Sequence, residues 1–191
     1  MFKFLVCFLV FIYSYNAKAF DDIYELINAE NTSVFTERLA AGFDIDDQDL
    51  EGNTPLMTAA ALNKPKFVAY LLDMGAKVDL RNYSGATALH KAALAGNNEV
   101  IDILMDNGAE INLPDLDGFT PLMLATSTEK RFTVELLVHR GALISFKYSK
   151  GLSALDIARK KRYAKILAFL EKEVKKIKKE EKKPNYSWDI D

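Results

Sequence analysis

Apolar residues beyond the first few turns of this chain come in short helical clusters parted by glycine and asparagine. One cluster, Leu89 to Leu94, is rich in alanine and predicts a short helix whose small side chains let a neighbouring helix approach closely. Gly96 and Asn97-Asn98 interrupt it. A second helix is predicted over Glu99 to Asp106, with Val100, Ile101, Ile103 and Leu104 turned inward. Gly108 ends that helix in the left-handed conformation open to glycine. Asp79 to Ser84 is the turn that leads into such a pair.

The cluster recurs. Gly52, Gly85, Gly118 and Gly151 stand 33 residues apart, as do Gly42, Gly75, Gly108 and Gly141. The first series opens aligned segments that include Gly52-Asn53-Thr54-Pro55-Leu56-Met57, Gly85-Ala86-Thr87-Ala88-Leu89-His90, Gly118-Phe119-Thr120-Pro121-Leu122-Met123 and Gly151-Leu152-Ser153-Ala154-Leu155-Asp156. Thr54, Thr87, Thr120 and Ser153 are hydroxyls suited to capping a helix start, whose first amides lack partners. Pro55 and Pro121 fit the first helical position, where a missing N–H does no harm. A single helix pair cannot hide its apolar face, so tandem copies must lean on one another.

The opening segment has a different pattern. Lys3 precedes ten apolar residues, Phe4 to Tyr13, and Ala17-Lys18-Ala19 is a small-x-small cleavage pattern. Ten residues rise only about 15 Å as a helix, half the hydrocarbon thickness of a bilayer, which favours a removed export signal over 1–19. Cys7, the one cysteine of the chain, would leave with it. The remainder from Phe20 then has no disulfide, thiolate nucleophile or cysteine metal site, which suits a periplasm or a secreted setting.

The pattern Gly-x-Thr-Pro-Leu-His followed by Ala-Ala, best kept at Gly85 to Ala93, and Gly-Ala-x-Val-Asn, as at Gly75 and Gly108, resemble the ankyrin-repeat family. The resemblance spans residue 20 to about 172 and implies an all-α fold, an α-solenoid of about five helix-turn-helix repeats. Repeats at 52–84, 85–117 and 118–150 are then flanked by capping repeats at 20–51 and 151–172, whose outer faces must be polar. Residues 173–191 form a basic helical extension and tail. Departures are few: Met57, Met123 and Asp156 replace the motif histidine kept at His90, and Thr126 to Arg131 lacks the expected glycine between helices. The family implies that His90 ties the turn backbone together. It also implies a concave, partner-gripping surface lined by the first helices and the turn tips. The tip rows are Leu50, Tyr83, Leu116 and Ser149, then Asn53, Ala86, Phe119 and Leu152. Exposed Leu, Tyr and Phe at these tips lack a packing reason within their own repeat and fit the anchors of a protein interface.

Little else carries chemistry. His90 and His139 are the only histidines, and no Cys or Glu-x-x-His grouping accompanies them. Asp44, Asp46, Asp47 and Asp49, with Asp115 and Asp117, lack the spacing of a calcium loop and read as turn formers. No phosphate-cradling glycine loop or nucleophile elbow is present. Residues 20–158 carry 21 acidic and 11 basic side chains, a net of −10, whereas 159–183 carry 12 basic and 4 acidic, a net of +8. Ile166, Leu170, Val174 and Ile177 keep helical spacing, so the last helix is expected to run to about Lys183 and stop before Pro184. That basic helix reads as a solvated cover for the stack, with weak contact to anionic membrane or an acidic partner as alternatives. Nucleic acid is excluded by the acidic body and export, and Trp188 is a candidate docking residue in the tail. The expected function is binding of a partner protein without catalysis, cofactor or small-molecule substrate. It would be exerted as a periplasmic adaptor, with an effector engaging a host protein as the alternative and a hydrolase or metal-dependent enzyme as the remaining one.

Overall fold

The computed structural model describes residues 23–147 and 151–181, with side chains through Lys179. The signal at 1–19, Ser149, and the tail positions Lys183, Pro184 and Trp188 lie outside the described residues. Five helix pairs follow one another. They are α1 (residues 23–28) with α2 (Thr32–Ala40), α3 (Pro55–Ala61) with α4 (Pro65–Asp73), α5 (Ala88–Ala95) with α6 (Asn98–Asp106), α7 (Pro121–Ser127) with α8 (Arg131–His139), and α9 (Ala154–Lys161) with α10 (Ala164–Glu181). The reference pair thus starts one residue earlier in each helix than its apolar cluster suggests, because Thr87 and Asn97 take the cap positions.

The first helices start where their caps dictate. Thr54 and Thr120 hydroxyls accept the amides of Met57 and Met123 at 3.3 and 3.4 Å, and Pro55 and Pro121 occupy the first turn. Between the helices of each pair the chain passes through the left-handed region at Glu30, Asn63, Gly96, Glu129 and Arg162, again 33 residues apart. The turn without a glycine is therefore built like the others, with Glu129 at φ +59°. Its geometry is held by Lys130 N–H donating to the Ala125 carbonyl at 2.9 Å, as Asn97 N–H donates to Ala92 at 3.0 Å. Such wrapped helix ends satisfy carbonyls that would otherwise be orphaned.

Stacking joins like with like: α3, α5, α7 and α9 contact their neighbours in a row, and α4, α6, α8 and α10 form the second row. A single apolar core runs through all five pairs, from Ile23 and Ile27 through Leu89, Ile101 and Leu137 to Ile166 and Leu170. At the N-terminal end the ring of Phe35 meets that of Phe67 edge-on at 5.3 Å. Deep in the stack the alanines Ala59, Ala60, Ala92, Ala93 and Ala125 are fully buried, which is what lets the first helices lie close.

Polar links cross each junction at the repeat spacing. Asn97 donates through Nδ2 to the carbonyls of Ala60 and Ala61, at 2.8 and 3.1 Å, closing the C-terminus of α3. Thr128 does the same for α5 at Leu94, and Tyr163 for α7 at Ser127. On another side, Asp46, Asp79 and Asn112 accept the backbone amides of Lys77, Glu110 and Leu143, each 31 residues further on. Burial pushes the Asp79 carboxyl above its ordinary range, and the Glu110 amide partly counters that. The helix α10 runs unbroken past residue 172, so cap and basic extension are one element as far as Glu181. Ile166 and Leu170 are buried, Val174 is half-buried and Ile177 is exposed, showing where the helix leaves the stack.

Candidate protein-binding face

The three turn tips at Asp49, Asn82 and Asp115 are each folded around that Asx side chain. Asp49 Oδ1 accepts the amides of Glu51 and Asn53 at 2.8 and 2.7 Å. Asn82 Oδ1 accepts those of Ser84 and Ala86, and Asp115 Oδ1 accepts that of Phe119. Short carboxylates and amides favour such turns because they bond their own backbone. Asp49 and Asp115 are thus structural turn formers, and among the described residues no His, Cys, Asp and Glu group has the arrangement of a metal site.

The tips are also fastened to one another. Tyr83 N–H donates to the Glu51 carbonyl at 3.1 Å, and Leu116 N–H to the Ser84 carbonyl at 3.0 Å. Gln48 bridges the carbonyls of Gly52 and Arg81, and Arg81 reaches the Pro114 carbonyl in turn. Asn82 Nδ2 donates to Asn53 Oδ1 at 2.9 Å. His90 is the most elaborate of these links. Its Nδ1 accepts from the Thr87 amide and hydroxyl at 3.1 and 2.9 Å, while Nε2 donates to the Phe119 carbonyl in the next tip at 3.1 Å. That partner set selects the neutral imidazole, and burial holds its pKa below the ordinary value. Ser153 and Asp156 form an internal version: the Ser153 amide and hydroxyl donate to Asp156 Oδ2 at 3.0 and 2.7 Å. These bonds lower the Asp156 pKa.

Upon this frame the tip side chains stand out. Leu50, Tyr83 and Leu116 are 55%, 68% and 75% exposed. For Tyr83 and Leu116 the packing reason is in the preceding tip. The Tyr83 ring lies over Gly52 and the Leu116 side chain over Gly85, so close that a Cβ on either glycine would fall within 3 Å of them. Of the second row, Asn53, Phe119 and Leu152 are half-buried, and Ala86 is buried, its methyl withdrawn under the tip. Ala86 is therefore a corrected expectation: it helps to shape the tip and presents no side chain to a partner.

Sequence reasoning passed over Leu94 and Tyr24. Leu94 lies on the first helix α5 and is 43% exposed; it occupies the register of Ala61 and Ser127, which was the available signal. Tyr24, on α1, is 48% exposed and lines a hollow of about 230 Å³ together with Asp49, Glu51 and Asn53 of the first tip, Met57, Thr58, Ala61 and Leu62 of α3, and Lys91 of α5. The first tip and the helices α1, α3 and α5 thus wall this hollow together. His139, at the C-terminus of α8, faces away from it and meets the ring of Phe169 edge-on at 5.9 Å.

No curated protein matches the chain. Ankyrin repeats in three copies match residues 25–115, and a further ankyrin repeat matches 117–147, the stretch over which the tips and first helices recur. This chain belongs to the ankyrin-repeat family, and its stacked repeats are a scaffold for protein–protein interaction.

Proposed function

We propose that the chain is exported and acts in the periplasm as a non-catalytic adaptor, gripping one partner protein in the groove between its tips and first helices. One observation carries the binding reading. Leu50, Tyr83 and Leu116 are large, apolar, exposed and aligned at the repeat spacing, on turns locked by hydrogen bonds within and between repeats. Apolar groups held rigidly in water lose little conformational entropy on association, the condition for an interface anchor. Leu94, Phe119 and Leu152 extend the apolar path along the groove, and polar Asn53 and Thr58 border it.

Export rests on Lys3, the apolar run Phe4 to Tyr13 and the Ala17-Lys18-Ala19 site. It is tested by fractionation of the source cells together with the mass of the isolated protein, which should begin at Phe20. Binding is tested by affinity capture from cell envelopes using wild type and a Tyr83→Asp/Leu116→Asp double variant. The variant should lose the captured partner while keeping the wild-type circular dichroism spectrum. Identical capture by a folded double variant would remove the tips from the interface.

A further inference from the structure

The hollow at the N-terminal end of the groove has a mixed chemistry. Its floor is apolar, made by Met57, Ala61 and Leu62, and the Tyr24 side chain forms one wall. Two carboxylates, Asp49 and Glu51, stand on the tip side, against one ammonium, Lys91, from α5. Asp49 is already engaged: Oδ1 accepts two amides, and Oδ2 accepts Asn53 Nδ2 at 3.1 Å. The Glu51 carboxylate accepts one bond among the described residues, from the same Asn53 nitrogen through Oε2 at 3.1 Å, and Oε1 has no partner among them. Among the described residues neither carboxylate forms an ion pair. The surrounding field has the same sign: residues 23–51 carry eight acidic side chains and one basic one, Arg38.

We propose that this hollow seats one arginine side chain of the partner, and so sets both the partner's sequence preference and the direction in which it lies along the groove. The inference rests on the reading of the groove as the binding face. An arginine fits each surface present. Its three methylenes cover the apolar floor, as long basic side chains do on apolar surfaces. Its guanidinium plane lies against the Tyr24 ring. Its fork of donors reaches the free Glu51 oxygen, with the Asp49 charge behind it. A purely apolar side chain would bury the Glu51 carboxylate without a partner, and an acidic one would meet two like charges. Lys91 limits the attraction: with it the hollow carries a net charge of −1, and reversing it should deepen the preference.

The test is selection of random peptides displayed on phage by wild type, Glu51→Lys and Lys91→Glu proteins. Glu51 is exposed, its bond to Tyr83 uses the backbone carbonyl, and Asn53 Nδ2 keeps its bond to Asp49 when the Glu51 carboxylate is removed, so the substitution preserves the tip. Wild type should enrich peptides with arginine beside apolar residues. Glu51→Lys should lower that enrichment about tenfold, the step from a charge-assisted pair to a repulsion, while apolar preferences persist. Lys91→Glu should raise it. A selected peptide whose arginine is replaced by citrulline, the neutral isostere, should bind wild type more weakly by a similar factor. Peptides enriched without arginine, or with arginine preference unchanged in Glu51→Lys, would overturn this inference and leave the groove reading standing. Failure of wild type to enrich any peptide would overturn both.

Discussion

Gly85 and Gly108 both sit in the left-handed region, at φ +76° and +85°, yet an alanine should be tolerated very differently at the two sites. Left-handed backbone costs a residue with a Cβ about 1–2 kcal/mol. The loss of unfolded-chain freedom on replacing glycine returns about 0.4–1 kcal/mol. Gly108 has nothing within 4 Å of the added carbon, so Gly108→Ala should destabilise by only about 0–1.6 kcal/mol. At Gly85 the same carbon would lie 2.8 Å from the Leu116 amide nitrogen and 2.9 Å from its Cγ. That amide is tied to the Ser84 carbonyl at 3.0 Å, so it cannot swing aside without breaking the link between tips. Overpacking of this kind adds about 1–3 kcal/mol. For a chain of this length about 2–4 °C of Tm accompanies each kcal/mol. Thermal melts followed by circular dichroism should therefore place Gly85→Ala several degrees below Gly108→Ala. Hydrogen exchange should show the Leu116 amide losing protection only in the former. Equal melting temperatures, with Leu116 still protected in both, would refute the claim that each tip is packed on its predecessor.

Two further outcomes follow from the links between repeats. Asn97→Ala leaves the carbonyls of Ala60 and Ala61 to water, and because that helix end is partly exposed the loss should be about 1 kcal/mol, read as a lowered urea midpoint. His90 is held neutral below its ordinary pKa of 6.5, so the unfolded chain takes up the proton first; stability is complete above about 6.5 and should fall as pH drops below it. A His90→Met variant, which borrows the residue of the two sister repeats, should be less stable at pH 7.5. Its urea midpoint should be flatter between pH 6.5 and 5 than that of wild type; an equally steep loss would assign the slope to other groups.

Much of the architecture was legible because it is periodic. Two glycine series at one spacing, hydroxyls before four of the five first helices, and prolines at Pro55 and Pro121 each have a local reason, and all point to the same unit. What escaped was set by contacts between units. Nothing local at Glu129 announces a left-handed residue; that backbone is enforced by the Lys130 bond to Ala125 and recurs at all five turns. The acidic turn residues looked merely solvated, whereas Asp46 and Asp79, with Asn112, each hold an amide of the next repeat. The tips followed the same logic: Tyr83 and Leu116 lacked a partner within their own tip because the partner is the glycine of the preceding tip, 31 residues earlier. Ala86 was misjudged for a related reason, since register gives its place in the row but not the depth of a methyl beneath the tip.

The departures from the histidine motif show how such a scaffold can hold its shape and still vary its surface. An imidazole at this position is useful only if the next tip offers a carbonyl, as Phe119 does for His90. The last repeat has no further repeat stacked beyond it among the described residues, and there Asp156 turns the motif inward onto Ser153. Met57 and Met123 are almost wholly buried and exchange the polar bridge for apolar packing. At the Met57 junction the tips remain tied by Gln48 to Arg81, by Asn82 to Asn53 and by Tyr83 to Glu51. Because every one of these hydrogen bonds ends on backbone or on residues beneath the tips, the outward side chains are not needed to tie the tips together. Leu50 and Glu51 can then differ from one repeat to the next at little cost in stability, whereas Tyr83 and Leu116 also cover the glycine of the preceding tip. Selectivity for a partner is therefore expected to be concentrated in those side chains and in the hollow that Tyr24 and Glu51 line.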